Sequence, residues 1–322
     1  MTGRQEHNMK IEKSISEILT GAPQLIIDYS YNFGSKTEKT KEAYIRYVLK
    51  FFEFFNGKDI LGLKKSDINR YMDSLRYRED GTERSASFRT AMLAAIRDFY
   101  QFLVDEEKIE NNPCASVKPP HDLSEKEVVA MTPEEIKTVI SNIENGVGSA
   151  RERARSRSWR NRDLAIVMLG CTTGLRCSAI TEINIEDIDF TNNIIKVIEK
   201  GNKGRFINVG TKTMTVISDW IEDRKSKKTN GTDALFISNQ GQRISQKAIQ
   251  HLIKKYTYNI DKHITPHKMR SSCATNLYEK TGDIYLVQEV LGHKNIANTR
   301  RYARASEAKK QQAAAILDGL IA

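Results

Sequence analysis

The 322-residue sequence holds only four cysteines, Cys114, Cys171, Cys177 and Cys273, and none forms a CxxC pair. That excludes a disulfide-dense scaffold, and a chain of this length buries enough surface on folding to need none. No long apolar run exists either. The most hydrophobic stretch, Leu164-Ala-Ile-Val-Met-Leu-Gly-Cys, falls far short of the ~20 residues that cross a bilayer as a helix. The chain begins with the polar Met1-Thr-Gly-Arg-Gln-Glu-His rather than a secretory signal, so a reducing cytoplasm with free thiols is expected. No GxxxxGK loop ending in Ser or Thr is present to cradle nucleotide phosphates. No carboxylate cluster suited to a two-metal nuclease stands out. Cys171, Cys177 and His267 are the sharpest zinc candidates, but their spacing fits no usual ligand pattern. Neither a metal nor any other cofactor is therefore expected. No internal repeat is evident.

What is present is an ordinary folded composition with an excess of cations. Hydrophobic residues make up 39% and charged residues 29%, which argues against wholesale disorder. Lys and Arg total 51 against 41 Asp and Glu, a formal charge of +10. Such a surplus suits a polyanionic partner, although solubility alone also accounts for a moderate excess.

Residues 1–20 read as a polar leader and 21–117 as a helical domain. Tyr44, Val48, Phe51 and Phe55 fall at helical spacing. Ile68, Met72 and Leu75 repeat the pattern after the candidate cap Ser66. Phe88, Met92, Ile96, Phe99 and Leu103 extend it over a longer helix. Asn111-Asn-Pro and Lys118-Pro-Pro resist helix continuation, so residues 118–130 read as a linker. Thr132-Pro-Glu-Glu then has the form of a capping box with proline at the first helical position. It opens a second, mixed domain over 131–305, with helical patterns at 132–144 and 162–173 and a short helix after Arg176. Residues 193–209 read as a hairpin around Lys200-Gly-Asn-Lys-Gly, and Ala234-Leu-Phe-Ile-Ser as a further short strand. From Ser245 the chain returns to helices. The segment Arg151-Glu-Arg-Ala-Arg-Ser-Arg-Ser-Trp-Arg-Asn-Arg cannot enter a core unpaired, and reads as a solvated or phosphate-contacting loop. The fold class is thus mainly α with a small β-sheet.

Four separated pieces of the second domain combine basic groups with a candidate nucleophile: Thr173-Gly-Leu-Arg176, the turn Lys200-Gly-Asn-Lys203, His267-Lys-Met-Arg270, and Leu291-Gly-His293, with Tyr302 nine residues further on. Any one of these alone is ordinary. Breaking a phosphodiester at phosphorus needs a nucleophile, stabilisation of the non-bridging oxygens and a proton for the leaving oxygen. Arg176 and Arg270 offer bidentate donors that stay charged at any working pH. His267 lies three residues from Arg270 on one helix face, and His267 and His293 exchange protons near neutrality. A tyrosine hydroxyl can form a phosphotyrosyl intermediate that conserves the bond energy for rejoining.

In its order and spacing this set resembles the tyrosine recombinases, or phage-integrase family, specifically from about residue 170 to 305 and more weakly over 25–115. The resemblance implies a DNA-clasping, SAM-like helical domain followed by the mixed catalytic domain. It also implies site-specific cutting and rejoining of duplex DNA without metal or ATP, with Arg176, Lys200, His267, Arg270, His293 and the nucleophile Tyr302 as the catalytic set. Lys200, rather than its neighbour Lys203, is then the donor to the leaving 5′-oxygen. The partners implied are double-stranded DNA bearing a core site and further copies of the chain, four in the synaptic complex, with residues 306–322 docking on a neighbour. Arg151, Arg153, Arg155, Arg157, Arg160, Arg162 and Lys203 are candidate DNA contacts. The short leader leaves no room for a separate arm-site-binding domain, which favours a simple recombinase of a mobile element. Two positions depart from the family pattern. Ala179 replaces an acid three residues after the first arginine, for which Glu182 is the candidate substitute, and Ser271 follows the second arginine where His is frequent. Ala179 is the only support for a non-catalytic DNA-binding regulator; relaxation of DNA in the manner of a type IB topoisomerase is the nearer alternative.

Overall fold

A computed structural model of the chain describes residues 15–120, 128–199, 203–303 and 314–319. The chain divides into two compact units, residues 1–126 and 127–322.

In the first unit, α1 (Gln24–Ser30), α2 (Glu38–Phe54), α3 (Lys65–Ser74) and α4 (Ala86–Asp105) pack around an apolar core. Val48, Phe51, Phe55, Ile68, Met72, Met92, Ile96, Phe99 and Leu103 are buried there, whereas Tyr44, Leu75 and Phe88 lie at its margin. Phe51 meets the rings of Phe55, Tyr71 and Tyr100 edge-on, at centroid separations of 5.0, 5.1 and 5.9 Å. These contacts add to what area burial alone supplies. Helix α3 begins two residues earlier than Ser66 implies: Lys64 is the cap position, and its N–H donates to Asp67 Oδ2 at 3.0 Å. At the far end of the unit, Arg97 donates to the carbonyls of Cys114 and Val117.

The second unit contains α5 (Pro133–Asn145), α6 (Ala150–Arg157), α7 (Arg160–Thr173), α8 (Cys177–Glu182), α9 (Thr211–Lys225), α10 (Gln246–Tyr256), α11 (Pro266–Thr281), α12 (Ile284–Leu291) and α13 (Ala297–Arg300). Its sheet is antiparallel, in the order β1 (Ile188–Asp189), β2 (Ile194–Glu199) and β3 (Lys203–Asn208). Alternation places Ile195, Val197 and Ile207 in the core and leaves Ile198 and Phe206 exposed on the other face. The capping box at the start of α5 forms in both directions, Glu135 N–H to Thr132 Oγ1 and Thr132 N–H to Glu135 Oε2.

Two segments differ from the expectation. The arginine-rich stretch is a helix, not a loop, because Ser149 and Glu152 close a second capping box and the arginines of the last turn suit the carbonyl end. Ala234–Ser238 is not a ladder strand. It makes isolated bridges from Ala234 to Asn184 and from Ile237 to Arg243. Its polar groups are met from elsewhere: Trp220 Nε1 donates to Leu235 O at 2.8 Å, and Leu235 N–H to Ile183 O at 2.9 Å. Among the described residues no helix is long and apolar enough to cross a membrane.

Candidate active site

Helix α7 runs into Gly174, whose left-handed backbone (φ 63°) turns the chain so that Arg176 caps the start of α8. Only glycine fits this turn: a Cβ there would stand 2.6 Å from Leu291 Cδ2 and 3.3 Å from Cys273 Sγ. Helix α11 starts at Pro266, placing His267 at its exposed first turn and Arg270 one turn deeper, where it is 2% exposed. Arg270 donates from Nη1 to Gly174 O and from Nη2 to Leu291 O, the latter at 2.7 Å. One side chain therefore holds the turn before Arg176 against the turn before His293. A buried guanidinium with both arms on carbonyls satisfies groups that would otherwise cost ~1–3 kcal/mol each.

Helix α12 ends at Gly292, again left-handed (φ 65°), which directs His293 away from the helix axis. His293 Nδ1 lies 2.9 Å from Thr299 Oγ1, and its carbonyl accepts from Gln288 Nε2. The hairpin is fastened to the same corner, since Arg205 on β3 donates to the carbonyls of Glu289 and Val290. Lys200 lies outside the described residues, and of Lys203 only the backbone, at the start of β3, is described.

Tyr302 follows α13 and is 4% exposed, packed against Ala274, Val287 and Leu291. Its ring lies nearly parallel to that of His293, with centroids 6.5 Å apart. Its hydroxyl accepts from Arg301 Nη2 at 3.0 Å, and the same nitrogen lies 3.4 Å from His267 Nε2. The protein around His267 removes enough water to hold its pKa below the ordinary value, and the charges of Arg301, Arg270, Lys268 and Arg176 push the same way. The structure thus brings Arg176, His267, Arg270, His293 and Tyr302 to one corner of the second unit, formed by α8, α11, α12 and the segment after α13.

The family now follows from comparison. The phage integrase family model matches residues 130–309, and the model of the family's N-terminal SAM-like domain matches residues 33–107. The chain belongs to the phage integrase family of tyrosine recombinases. A tyrosine recombinase XerC of Shewanella amazonensis is 31% identical over 260 residues, 78% of this chain and 82% of the relative. In fold the chain is similar to the XerH site-specific recombinase bound to difH substrate, with a TM-score of 0.69 and 21% identity over 86% of this chain and 80% of that one. It is similar to the Tn1549 transposon integrase in complex with circular intermediate DNA to the same TM-score of 0.69, at 22% identity over 90% of this chain and 97% of the other. The helical and mixed units therefore carry the family's fold.

At the first of the two positions that depart from the family pattern, Ala179 is buried in the apolar core, and the candidate substitute Glu182 is exposed at the end of α8. A core alanine has no acid to offer, and Glu182 faces solvent. Ser271 is buried, its hydroxyl donating to His267 O at 3.3 Å. Burial pushes the Cys171 and Cys177 thiols up to about 12 and about 11. Among the described residues no group of His, Cys, Asp and Glu is placed to hold a metal ion.

The arginine set splits. Arg151, Arg153, Arg155, Arg157 and Arg160 are exposed on α6 and the head of α7. Arg162 is not a surface contact: it is buried, paired with Asp163 at 2.7 Å, bonded to Ile237 O and set 4.3 Å above the Trp159 ring. Its neighbour Asp163 lies in the same interior and accepts from Tyr256 Oη, so both partners of the pair are met from within the domain. Residues 306–313 and 320–322 of the C-terminal segment lie outside the described residues, and 314–319 are helical. Thr299 and Arg301 were not among the expected site residues. Their only sequence signal is position, between the histidine and the tyrosine.

Proposed function

We propose that this chain is a site-specific DNA recombinase that cuts and rejoins duplex DNA through a 3′-phosphotyrosyl intermediate on Tyr302, without metal or nucleotide. The gathering of Arg176, His267, Arg270, His293 and Tyr302 at one corner of the second unit supports the reading. Tyr302 Oη attacks phosphorus, a P–O bond to Tyr302 forms, and the bond to the 5′-oxygen breaks. The phenol proton leaves to a neutral imidazole, for which His267 is poised by its lowered pKa. Lys200 supplies the proton that the departing 5′-oxygen takes up. Arg176, Arg270 and His293 direct N–H donors to the non-bridging oxygens, and the two guanidinium cations provide the charge stabilisation the transition state requires. Rejoining is the same sequence in reverse, with the 5′-hydroxyl of the partner strand attacking the phosphotyrosyl bond. The exposed arginines of α6 track duplex phosphates, four protomers assemble two core sites, residues 306–322 link neighbouring protomers, and a mobile element is the setting.

The test is a nicked suicide duplex carrying the inverted-repeat core from DNA flanking the gene. The wild-type chain accumulates a covalent protein–DNA adduct and Tyr302→Phe accumulates none. Tight binding without an adduct would instead support a regulator.

A further inference from the structure

Arg301 Nη2 lies 3.0 Å from Tyr302 Oη and 3.4 Å from His267 Nε2, and its guanidinium carbon sits 5.1 Å from the Tyr302 ring centroid. A guanidinium only donates hydrogen bonds. Tyr302 Oη must therefore accept in this arrangement, and its own hydrogen, if present, points elsewhere. The same nitrogen can donate to His267 Nε2 where the imidazole is neutral with its proton on Nδ1.

We propose that Arg301 is a positioning residue of the cleavage reaction: it aims the Tyr302 hydroxyl as an acceptor beside His267 and keeps His267 Nε2 unprotonated until it takes the phenol proton. This rests on the recombinase reading and adds to it a residue outside the set of arginines, histidines, lysine and tyrosine already assigned. Tyr302 Oη and His267 Nε2 do not bond each other directly here; they share Arg301. One donor holding both groups orders them before phosphate arrives, which lowers the entropy lost on reaching a reactive geometry. The charged groups acting on His267 are Arg301 after α13, Arg270 and Lys268 on α11, and Arg176 at the head of α8, all of one sign. Removing Arg301 removes the charge that acts most strongly on His267 and relaxes the imidazole towards its ordinary protonation.

Arg301→Gln and Arg301→Lys separate this role from mere packing. In the full chain without DNA, the His267 imidazole is titrated by NMR. Its pKa rises in Arg301→Gln and stays close to wild type in Arg301→Lys. On the suicide duplex, Arg301→Gln slows adduct formation roughly ten- to hundredfold, as expected for a lost charge-assisted hydrogen bond, and moves the acid limb of the pH profile upward. Arg301→Lys restores most of the rate. An unchanged His267 titration, or a wild-type rate and pH profile in Arg301→Gln, overturns the proposal. Absence of an adduct from the wild-type chain itself would strike at the recombinase reading, and the titration would still decide the role of Arg301.

Discussion

Two regions of the second unit are rich in arginine, and they use it in opposite ways. Along α6 and the first turn of α7 the side chains of Arg151, Arg153, Arg155, Arg157 and Arg160 are exposed, on a helix with almost no apolar face. At the junction of α7, α11 and α12 the guanidinium of Arg270 is enclosed, bonded to the carbonyls of Gly174 and Leu291. Exposed cations next to water interact weakly with their own protein and remain available to a polyanion. An enclosed cation must be satisfied from within, and so becomes a strut. Arg162 shows that sequence adjacency does not decide which. It follows the exposed run by two residues yet belongs with Arg270 in kind, since one further helical step turns it inward over Trp159.

The largest effect should come from breaking the strut. Arg270→Ala leaves two buried carbonyls without partners and removes a charge from the proposed phosphate site. Cleavage should be abolished, and thermal or denaturant unfolding should show a loss of about 3–5 kcal/mol. If cleavage vanished with stability intact, Arg270 would be a phosphate ligand alone and the contrast with α6 would weaken. Arg162→Ala should come second. It leaves Asp163 without its close guanidinium, and about 2–3 kcal/mol of stability should disappear with the charge-assisted hydrogen bonds, while the salt dependence of DNA binding stays as in the wild type. A changed salt slope in Arg162→Ala would return this arginine to the DNA-contacting set.

How much of this was legible beforehand depends on whether the chemistry is local in the chain. His267 and Arg270 announce themselves because one helical turn separates them. Tyr302 does so because the chain from His293 is short. The mainly helical fold with a small sheet also follows from apolar spacing, as at Val48, Phe51 and Phe55. Arg301 and Thr299 escaped because what makes them matter is contact with His267 and His293, which only the folded turns create. The structural role of Arg270 escaped for the same reason: its carbonyl partners lie 96 and 21 residues away in sequence. Helix α6 was hidden by its charge, because a helix without an apolar stripe gives no periodic signal. Its capping box, Ser149 to Glu152, was nevertheless as readable as the one at Thr132. Ala234–Ser238 misled for the converse reason. A short, mostly apolar run looks like a strand, and nothing local reveals that side chains such as Trp220 and Arg162 satisfy its backbone.

The smallest effect tests the exposed side of the comparison. Arg155 lies on the last turn of α6 and is exposed, so Arg155→Gln should leave the unfolding transition within about 0.5 kcal/mol of wild type. If Arg155 meets a phosphate of bound duplex, one fewer counterion is released on binding. The slope of log affinity against log salt should then become shallower by about one unit, and equally on cognate and unrelated duplex, because a phosphate contact reads no bases. Cleavage by protein saturated on its site should proceed at the wild-type rate. That combination, a salt slope moved with stability and chemistry untouched, is the inverse of the Arg270 result. An unchanged slope would show α6 to be a solvated face whose charge serves solubility, and would leave the duplex to be held by other cations of the two units.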